Sequence, residues 1–455
     1  MTFTSSHLQQ ILVTAPQCQH FLVGLSGGLD SVVLLHALRQ LRNSHQINQL
    51  VSAVHINHGL NQDAGQWQSF CEGLCARWEI PLETRPVSVP QDGSLENNAR
   101  NSRYEVFAEL STAHTVLLLA HHLDDQLETL LLRLLRGAGT TGLIGMPRQR
   151  ALGEGQLFRP LLDFSRVQLQ DYASREELQW VEDSSNSELH HDRNFLRQQV
   201  LPMIEQRWPR YRESWSKSLS LLSEAADMLQ VMAQDDLDQI AGRHDRLQLE
   251  PLLKLSEARQ RQVLRYWLAQ LHLTEPGWNQ LQQLVQQVLQ QEEGTGRLEL
   301  EDCYLQVHSG ELYALRKLPQ LDATEGLQRI QIQPQARLLA GNGFLNFQQL
   351  TGAGLKSGYQ QLDLRYRQGG ESLNLPGRPA KSLKKLFQES AIPPWLRDRV
   401  PLLFHGDELV CVPGIGIAEQ ATASEQEPGY EVSWQPPEVE IHREQSSPDS
   451  LRAPV

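Results

Sequence analysis

Three apolar runs, Phe21–Leu25, Leu50–Ile56 and Thr115–Ala120, are too short for buried helices, and amphipathic stretches with helical spacing follow them at Ser31–Leu41, Ala64–Trp78, Leu95–Leu110 and Asp124–Leu135. Strand–helix alternation of this kind leaves few folds open. The strands form a parallel sheet, and the helices that return the chain cover both of its faces. In such sheets ligands sit beyond the carboxyl ends of the strands. The residues that follow each apolar run are therefore the ones to inspect for chemistry.

The first run, Phe21-Leu-Val-Gly-Leu25, leads into Ser26-Gly27-Gly28-Leu29-Asp30-Ser31 and then into the apolar helix start Val32–Leu38. Consecutive glycines let backbone N–H groups close on an anion, and the helix N-terminus adds its partial positive charge. Ser26 and Ser31 bring hydroxyl donors. A plain polar turn with Asp30 or Ser31 as helix cap is the competing reading. The loop lacks the Gly-Lys-Ser/Thr ending of a Walker P-loop. It carries Asp30 instead, a carboxylate that repels phosphate unless a Mg²⁺ ion joins the two. The hexapeptide S-G-G-x-D-S resembles the PP-loop of the N-type ATP pyrophosphatases, which split ATP into AMP and pyrophosphate.

The second run ends in His55-Ile56-Asn57-His58, and the third in Ala120-His-His-Leu-Asp124-Asp125-Gln-Leu-Glu128. On a helix Asp125 and Glu128 are three apart, and Asp124 and Glu128 four apart, so they share a face. Such a concentration of acids needs cations to meet. A hydrolytic metal centre and a solvated helix start are both compatible with the spacing.

At 455 residues the chain suggests two to four domains. The alternating region is read as a catalytic domain over 1–205, and a Leu-, Gln- and Glu-rich helical texture as a second domain over 206–318. A poorly patterned stretch, 319–343, reads as a linker, short strands and one helix over 344–420 as a third domain, and 421–455 as an acidic, disordered tail. The net charge of −13 speaks against a wholly basic nucleic-acid surface. It hides a basic stretch between Leu375 and Val400 that includes Arg378, Lys381, Lys384, Lys385, Arg397 and Arg399. Cys18, Cys71, Cys75, Cys303 and Cys411 form neither a CxxC pair nor a disulfide framework. No apolar run approaches the roughly 20 residues of a membrane span, and no secretory signal is visible. These features predict a reduced, cytoplasmic protein that does not enter membranes.

Further motifs follow in order: Arg133-Leu-Leu-Arg136-Gly-Ala-Gly139, Arg159-Pro-Leu-Leu162, Glu182-Asp-Ser-Ser-Asn186 and Asp192-Arg-Asn-Phe-Leu-Arg197. With the three strand-end motifs, they resemble the tRNA(Ile)-lysidine synthetase family in residues, order and spacing through nearly the whole chain. Gly377-Arg378, Lys384-Lys-Leu-Phe-Gln-Glu389 and Pro393-Pro-Trp-Leu-Arg-Asp-Arg399 resemble that family's last domain. The resemblance implies a parallel-sheet PP-loop domain, a mostly helical middle domain and a small α+β C-terminal domain. It implies ATP and Mg²⁺ as co-substrate and ion, and isoleucine tRNA with a CAU anticodon and L-lysine as substrates. Lysine would be joined to C2 of the wobble cytidine through an adenylated intermediate, changing codon reading from AUG to AUA.

Site residues carried over on that resemblance are Ser26, Gly27, Gly28, Leu29, Asp30, Ser31, His55, Asn57 and His58 toward ATP, with Asp30 also toward the metal. Asp124, Asp125, Arg193, Lys381, Lys384, Lys385 and Trp395 are expected toward the other substrates, with Asp30, Asp125 and Glu128 as the catalytic set. A homodimer would be in keeping with the resemblance. Sulfur transfer to tRNA shares the ATP chemistry but generally needs a reactive cysteine pair or a Cys-ligated cluster. Glutamine-dependent amidotransfer needs a second catalytic unit, and a purely tRNA-binding protein would leave the acids without purpose.

Overall fold

The computed structural model describes residues 2–59, 63–90, 95–182, 191–242, 246–290, 296–321 and 328–442. The Asp183–Asn186 part of one motif lies outside these residues. Packing divides the chain into two compact units, 1–228 and 229–445.

The first unit is built on a sheet of six strands: β1 (His20–Gly24), β2 (Leu50–Asn57), β3 (Leu82–Pro86), β4 (Thr115–Leu118), β5 (Gln149–Leu152) and β6 (Gly155–Phe158). Their order is β3-β2-β1-β4-β6-β5. All neighbours run parallel except β5, which joins β6 as an antiparallel hairpin on the edge. That hairpin and β3 carry too few apolar residues to stand out in the sequence. The helices are α1 (Ser5–Leu12), α2 (Leu29–Asn43), α3 (Ala64–Trp78), α4 (Leu95–Leu110), α5 (Leu123–Leu135), α6 (Thr140–Leu143) and α7 (Arg166–Arg175).

Strand alternation sorts the core into two layers. Phe21, Val23, Val51, Ala53, Val116 and Leu118 point to one face, where they pack with residues of α1, α2, α3 and α7. Leu22, Val54, Leu117 and Leu119 point to the other and pack with Phe107 of α4. Both faces are therefore covered, as parallel strands require. Strand order reverses around β1 and β4, so the loops after those strands open onto the crevice where a doubly wound sheet takes its ligand.

In the second unit, helices Leu249–Lys254, Glu257–Gln270 and Trp278–Gln283 pack with a four-stranded antiparallel sheet around the fully buried Trp267. Strand Arg297–Glu299 folds back onto Cys303–His308, which pairs in turn with Glu311–Arg316. Three further antiparallel sheets, of five, four and two strands, and helix Leu383–Glu389 share a core that includes the fully buried Phe387.

Two boundaries read from composition are corrected here. The stretch expected to be a linker contains strands Gln328–Gln331 and Ala336–Leu338. Asn342, completely buried, donates to the Arg399 carbonyl at 2.8 Å and ties that stretch into the core. The expected disordered tail contains strand Pro428–Gln435, which pairs with Phe344–Thr351 along its whole length and with Leu355–Lys356. Trp434 donates to the Asn342 carbonyl at 2.8 Å, and Arg246 grips Glu440 with two bonds of 2.9 Å. Pro, Ser and Glu lower average hydrophobicity, yet Val432 and Val439 at the right register suffice to dock the segment.

Ending the chain after Glu427 is therefore expected to abolish cooperative unfolding of the second unit rather than trim a dispensable tail. Urea denaturation followed by near-UV circular dichroism of the tryptophans checks this.

Candidate active site

The loop after β1 is held from several sides. Leu25 N–H donates to the Val54 carbonyl at 2.8 Å, and the Leu25 carbonyl lies 2.9 Å from Nδ1 of buried His55. Gly27 adopts a φ of +86°, and a Cβ there would stand 2.9 Å from Val181 Cγ2 and 3.1 Å from Cys71 Sγ. Both conformation and space thus require glycine. Ser26 Oγ and Ser31 Oγ lie 3.1 Å apart, Gly28 N–H donates to Ser26 Oγ at 3.3 Å, and Ser31 Oγ donates to the Gly28 carbonyl at 3.0 Å. Gly28 is the N-cap of α2 and no side chain caps it. Neither Asp30 nor Ser31 is the cap residue, and uncapped first-turn N–H groups of a helix are suited to an anion.

Asp30 projects from the first turn of α2, following Leu29. Its Oδ1 is buried without a hydrogen-bond partner, and its Oδ2 lies 3.5 Å from His122 Nε2. An orphaned carboxylate oxygen beside an anion loop suits a Mg²⁺ ion that takes its remaining ligands from phosphate and water. Among the described residues no three His, Cys, Asp or Glu side chains gather as a metal cage, so the hydrolytic-centre reading lacks its ligand set.

His122 is the N-cap of α5 and forms a capping box with Asp125, whose Oδ2 accepts from His122 N–H at 3.0 Å. Its side chain is 2% exposed, 3.5 Å from Asp30, 3.6 Å from Asp125 and 3.9 Å from Asp124. Burial alone would depress its pKa, but Asp125, Asp30 and Asp124 outweigh burial and push it up to about 9. The Asp125 N–H that faces Nδ1 at 3.4 Å favours a neutral ring, but this long bond is weak against three carboxylates. In the ligand-free chain the three carboxylates favour the charged ring, whose Nδ1 then carries a proton and cannot accept the Asp125 N–H.

Arg197 closes the acidic group. Its Nε and Nη2 bond Glu128 at 2.7 and 3.0 Å, and Nη2 also reaches Asp125 Oδ1 at 3.2 Å. Burial would raise Asp125, but His122, through its charge and its backbone N–H, and Arg197 hold it below the usual carboxylate range. Burial keeps Glu128 above that range, with Arg197 offsetting only part of the effect. The pair is thus split into an ionised carboxylate and a more basic one.

Asp124, expected toward substrate, is held on both oxygens by the protein itself. Its Oδ1 accepts from Arg212 Nε at 2.7 Å and its Oδ2 from the Arg166 N–H that starts α7 at 2.8 Å. Arg193 lies nearby and donates to Thr129 Oγ1 at 3.2 Å. Asn57 is turned to Gln68 at 3.0 Å and to Gly59 N–H at 2.9 Å, while Nδ1 of His58 is buried without a partner. Burial pushes the Cys71 and Cys75 thiols up to about 12 and about 11, those of inert core cysteines.

In the second unit Lys381 pairs with Glu389 at 2.9 Å, while Lys384 and Lys385 are exposed. Trp395 packs in a cluster against Tyr313, ring centroids 4.8 Å apart, and against His308 at 5.6 Å.

His122, Arg197, Arg212 and Arg159 were not singled out from the sequence. The signal for His122 was its place just before a helical run, the N-cap position. Arg197 and Arg159 stood inside motifs, but spacing alone does not say which arginine of a motif meets an acid.

A parallel sheet with a glycine-rich anion loop and an acid in the following helical turn defines a PP-loop enzyme, and the PP-loop domain family matches residues 2–204. The TilS substrate binding domain matches 247–313, and the TilS substrate C-terminal domain matches 362–434. The tRNA(Ile)-lysidine synthase of Coxiella burnetii is 38% identical over 441 residues, covering 96% of this chain and 97% of its own. Enzymes of the same name from Yersinia pseudotuberculosis and Nitrosomonas europaea are 36% and 39% identical, covering 91% and 92% of this chain and 96% and 92% of their own. Among solved structures, the tRNA thiolase NcsA from Methanococcus maripaludis aligns over 48% of this chain and 78% of its own at 17% identity, with a TM-score of 0.38. The chain belongs to the tRNA(Ile)-lysidine synthase family. Among the described residues no helix is long and apolar enough to cross a membrane.

Because folding raises the pKa of His122 from 6.5 to about 9, its stabilising contribution is complete below about pH 6.5 and is lost as pH rises through about 9. Urea denaturation across that window should show stability falling in the ligand-free protein, with a shallower fall for His122→Asn.

Proposed function

We propose that this chain uses ATP to join free L-lysine to C2 of the wobble cytidine of isoleucine tRNA with a CAU anticodon, giving lysidine, which reads AUA in place of AUG. In the first step the cytidine C2 oxygen attacks the α-phosphorus and pyrophosphate leaves. In the second the ε-amine of lysine attacks C2, and AMP leaves with that oxygen. The observation that carries this reading is that one buried cation, His122, stands 3.5 Å from Asp30 and 3.6 Å from Asp125. That proximity supports a carboxylate facing phosphate and a carboxylate facing the amine, serving consecutive steps at the same C2–oxygen group.

The loop from Ser26 to Ser31 presents N–H and hydroxyl donors to the phosphates. Asp30 would hold Mg²⁺, which when bound neutralises phosphate charge and eases departure of pyrophosphate. Asp125, kept ionised and with a side chain 14% exposed, is the group available to a lysine ammonium. Glu128, the more basic of the two, receives the proton that the ammonium must lose before it attacks. Arg197 occupies both carboxylates meanwhile and keeps them from repelling each other. His55 acts through the Leu25 carbonyl, bracing the loop.

The catalytic domain is proposed over 1–205, with the regions beyond it binding tRNA. Exposed Lys384 and Lys385 are suited to backbone phosphates, which are contacted by long flexible cations. Arg193 and Lys381 are assigned to tRNA on the same grounds, Lys381 after release from Glu389.

Radiolabelled lysine should enter a CAU-anticodon isoleucine tRNA transcript with one AMP released per lysine. Asp125→Asn should still bind ATP while transferring lysine at least a hundredfold more slowly, about the scale of a lost acid–base group; full transfer by that variant would remove Asp125 from the mechanism. Replacing Lys384 and Lys385 together by Gln should raise KM for tRNA and lower the salt dependence of binding, leaving KM for ATP unchanged.

A further inference from the structure

Charge in the first unit is divided unevenly. Each acid of the site has a cation: Asp30 and Asp125 have His122, Asp125 and Glu128 have Arg197, and Asp124 has Arg212. Beside them stand Arg100, Arg103, Arg133, Arg150, Arg159 and Arg193, and among the described residues none of the six is paired with a carboxylate. Their partners are neutral. Arg133 Nη1 donates to the Gly142 and Gly145 carbonyls, each at 2.6 Å. Arg159, 2% exposed, donates to the Pro147 carbonyl at 2.6 Å, His121 Nδ1 at 3.3 Å and Tyr104 Oη at 3.4 Å. Arg100, Arg103 and Arg150 lie 5.4, 5.9 and 4.7 Å from the centre of the Tyr104 ring. Arg103 Nε is buried with no hydrogen-bond partner.

Burying cations together without an anion is costly, because each loses hydration and gains only repulsion. The strain registers on the groups themselves. Burial, together with neighbouring arginines, pulls Arg103, Arg133 and Arg159 below the ordinary arginine range. Burial, aided by Arg159, Arg103 and Arg193 against the opposing pull of Asp125, pushes His121 down to about 3, so its ring is neutral. Burial would raise the Tyr104 phenol, yet Arg159, Arg100 and Arg103 bring it below its usual value. The cluster is built for negative charge that the described residues do not supply.

We propose that the arginine cluster around Tyr104 is a phosphodiester site that holds the RNA backbone beside the reacting nucleotide. This rests on the reading of the chain as a tRNA-modifying enzyme and names where that enzyme grips its substrate. Phosphate could also come from ATP. Two features favour RNA: six arginines exceed what one phosphate needs, and the cluster extends from buried Arg159 through half-buried Arg133 and Arg150 to exposed Arg100, as a polymer entering a site requires. ATP already has a loop of its own at Ser26–Ser31. Phosphate contacts of this kind fix register and orientation, here the placing of one base against Asp125.

The test uses the full chain and the CAU-anticodon isoleucine tRNA transcript. Arg100→Gln and Arg150→Gln, on the outer part of the cluster, keep the fold, which thermal unfolding checks; Arg103→Gln probes the buried part. Each is expected to lower the slope of log binding constant against log salt for tRNA by about one and to leave ATP affinity within about twofold of the parent. Slopes unchanged in all three variants overturn the proposal. So does a loss of ATP affinity at unchanged tRNA slope, which would assign the phosphate to ATP. Binding is read without lysine transfer, so a parent chain that transfers no lysine would defeat the functional reading and still leave this site measured.

Discussion

The buried His122 imidazolium is the interaction on which the site depends. It lies where the start of α2 and the start of α5 meet, within 3.9 Å of Asp30, Asp124 and Asp125. Without a cation there, three carboxylates at two helix N-termini would repel one another in a poorly hydrated space, and the acids would protonate or the helices part. With it, the phosphate loop and the carboxylate helix are fixed relative to each other. His122 is also the N-cap residue of α5, where its backbone N–H is held by Asp125 Oδ2.

Around that centre the first unit separates charge by function. The acids are already neutralised, by His122, Arg197 and Arg212, and can exchange one cation for another at little cost. The arginines around Tyr104 are not neutralised, and they keep their charge for a ligand. The reaction proposed for this chain calls for both kinds of region. Their placement at the carboxyl ends of β2, β4 and β6 follows from the sheet topology.

Much of the first unit was legible in the sequence because its signals are local. Helices Ala64–Trp78 and Leu95–Leu110 have the boundaries their periodicity predicts. The glycine loop announces itself, since only glycine fits a φ of +86° against Val181 and Cys71. The edge strands β3 and β5 were missed because they are short and half-exposed, and β6 because its four residues include only two large apolar ones. The second unit was harder still. Composition made a linker of the stretch holding Asn342 and a disordered tail of the strand holding Val432, both of which are core. A few apolar residues in register with a waiting partner strand outweigh many polar ones, and the partner is far away in sequence.

The sequence by itself determined the sheet class, the anion loop, the acids gathered at the third strand end and the family, because all of these are carried by spacing along the chain. Tertiary structure alone decided how those acids are used. Asp124 was turned into an anchor by Arg212, 88 residues away, and Glu128 was given to Arg197, 69 residues away. It also decided that Trp395 packs against Tyr313, and that six arginines stand together without an acid among the described residues. The reason is physical. Helix and strand periods are set within a few residues by backbone geometry, whereas the pairing of charges is set by which chains of packing bring them within a few ångströms in a medium of low dielectric.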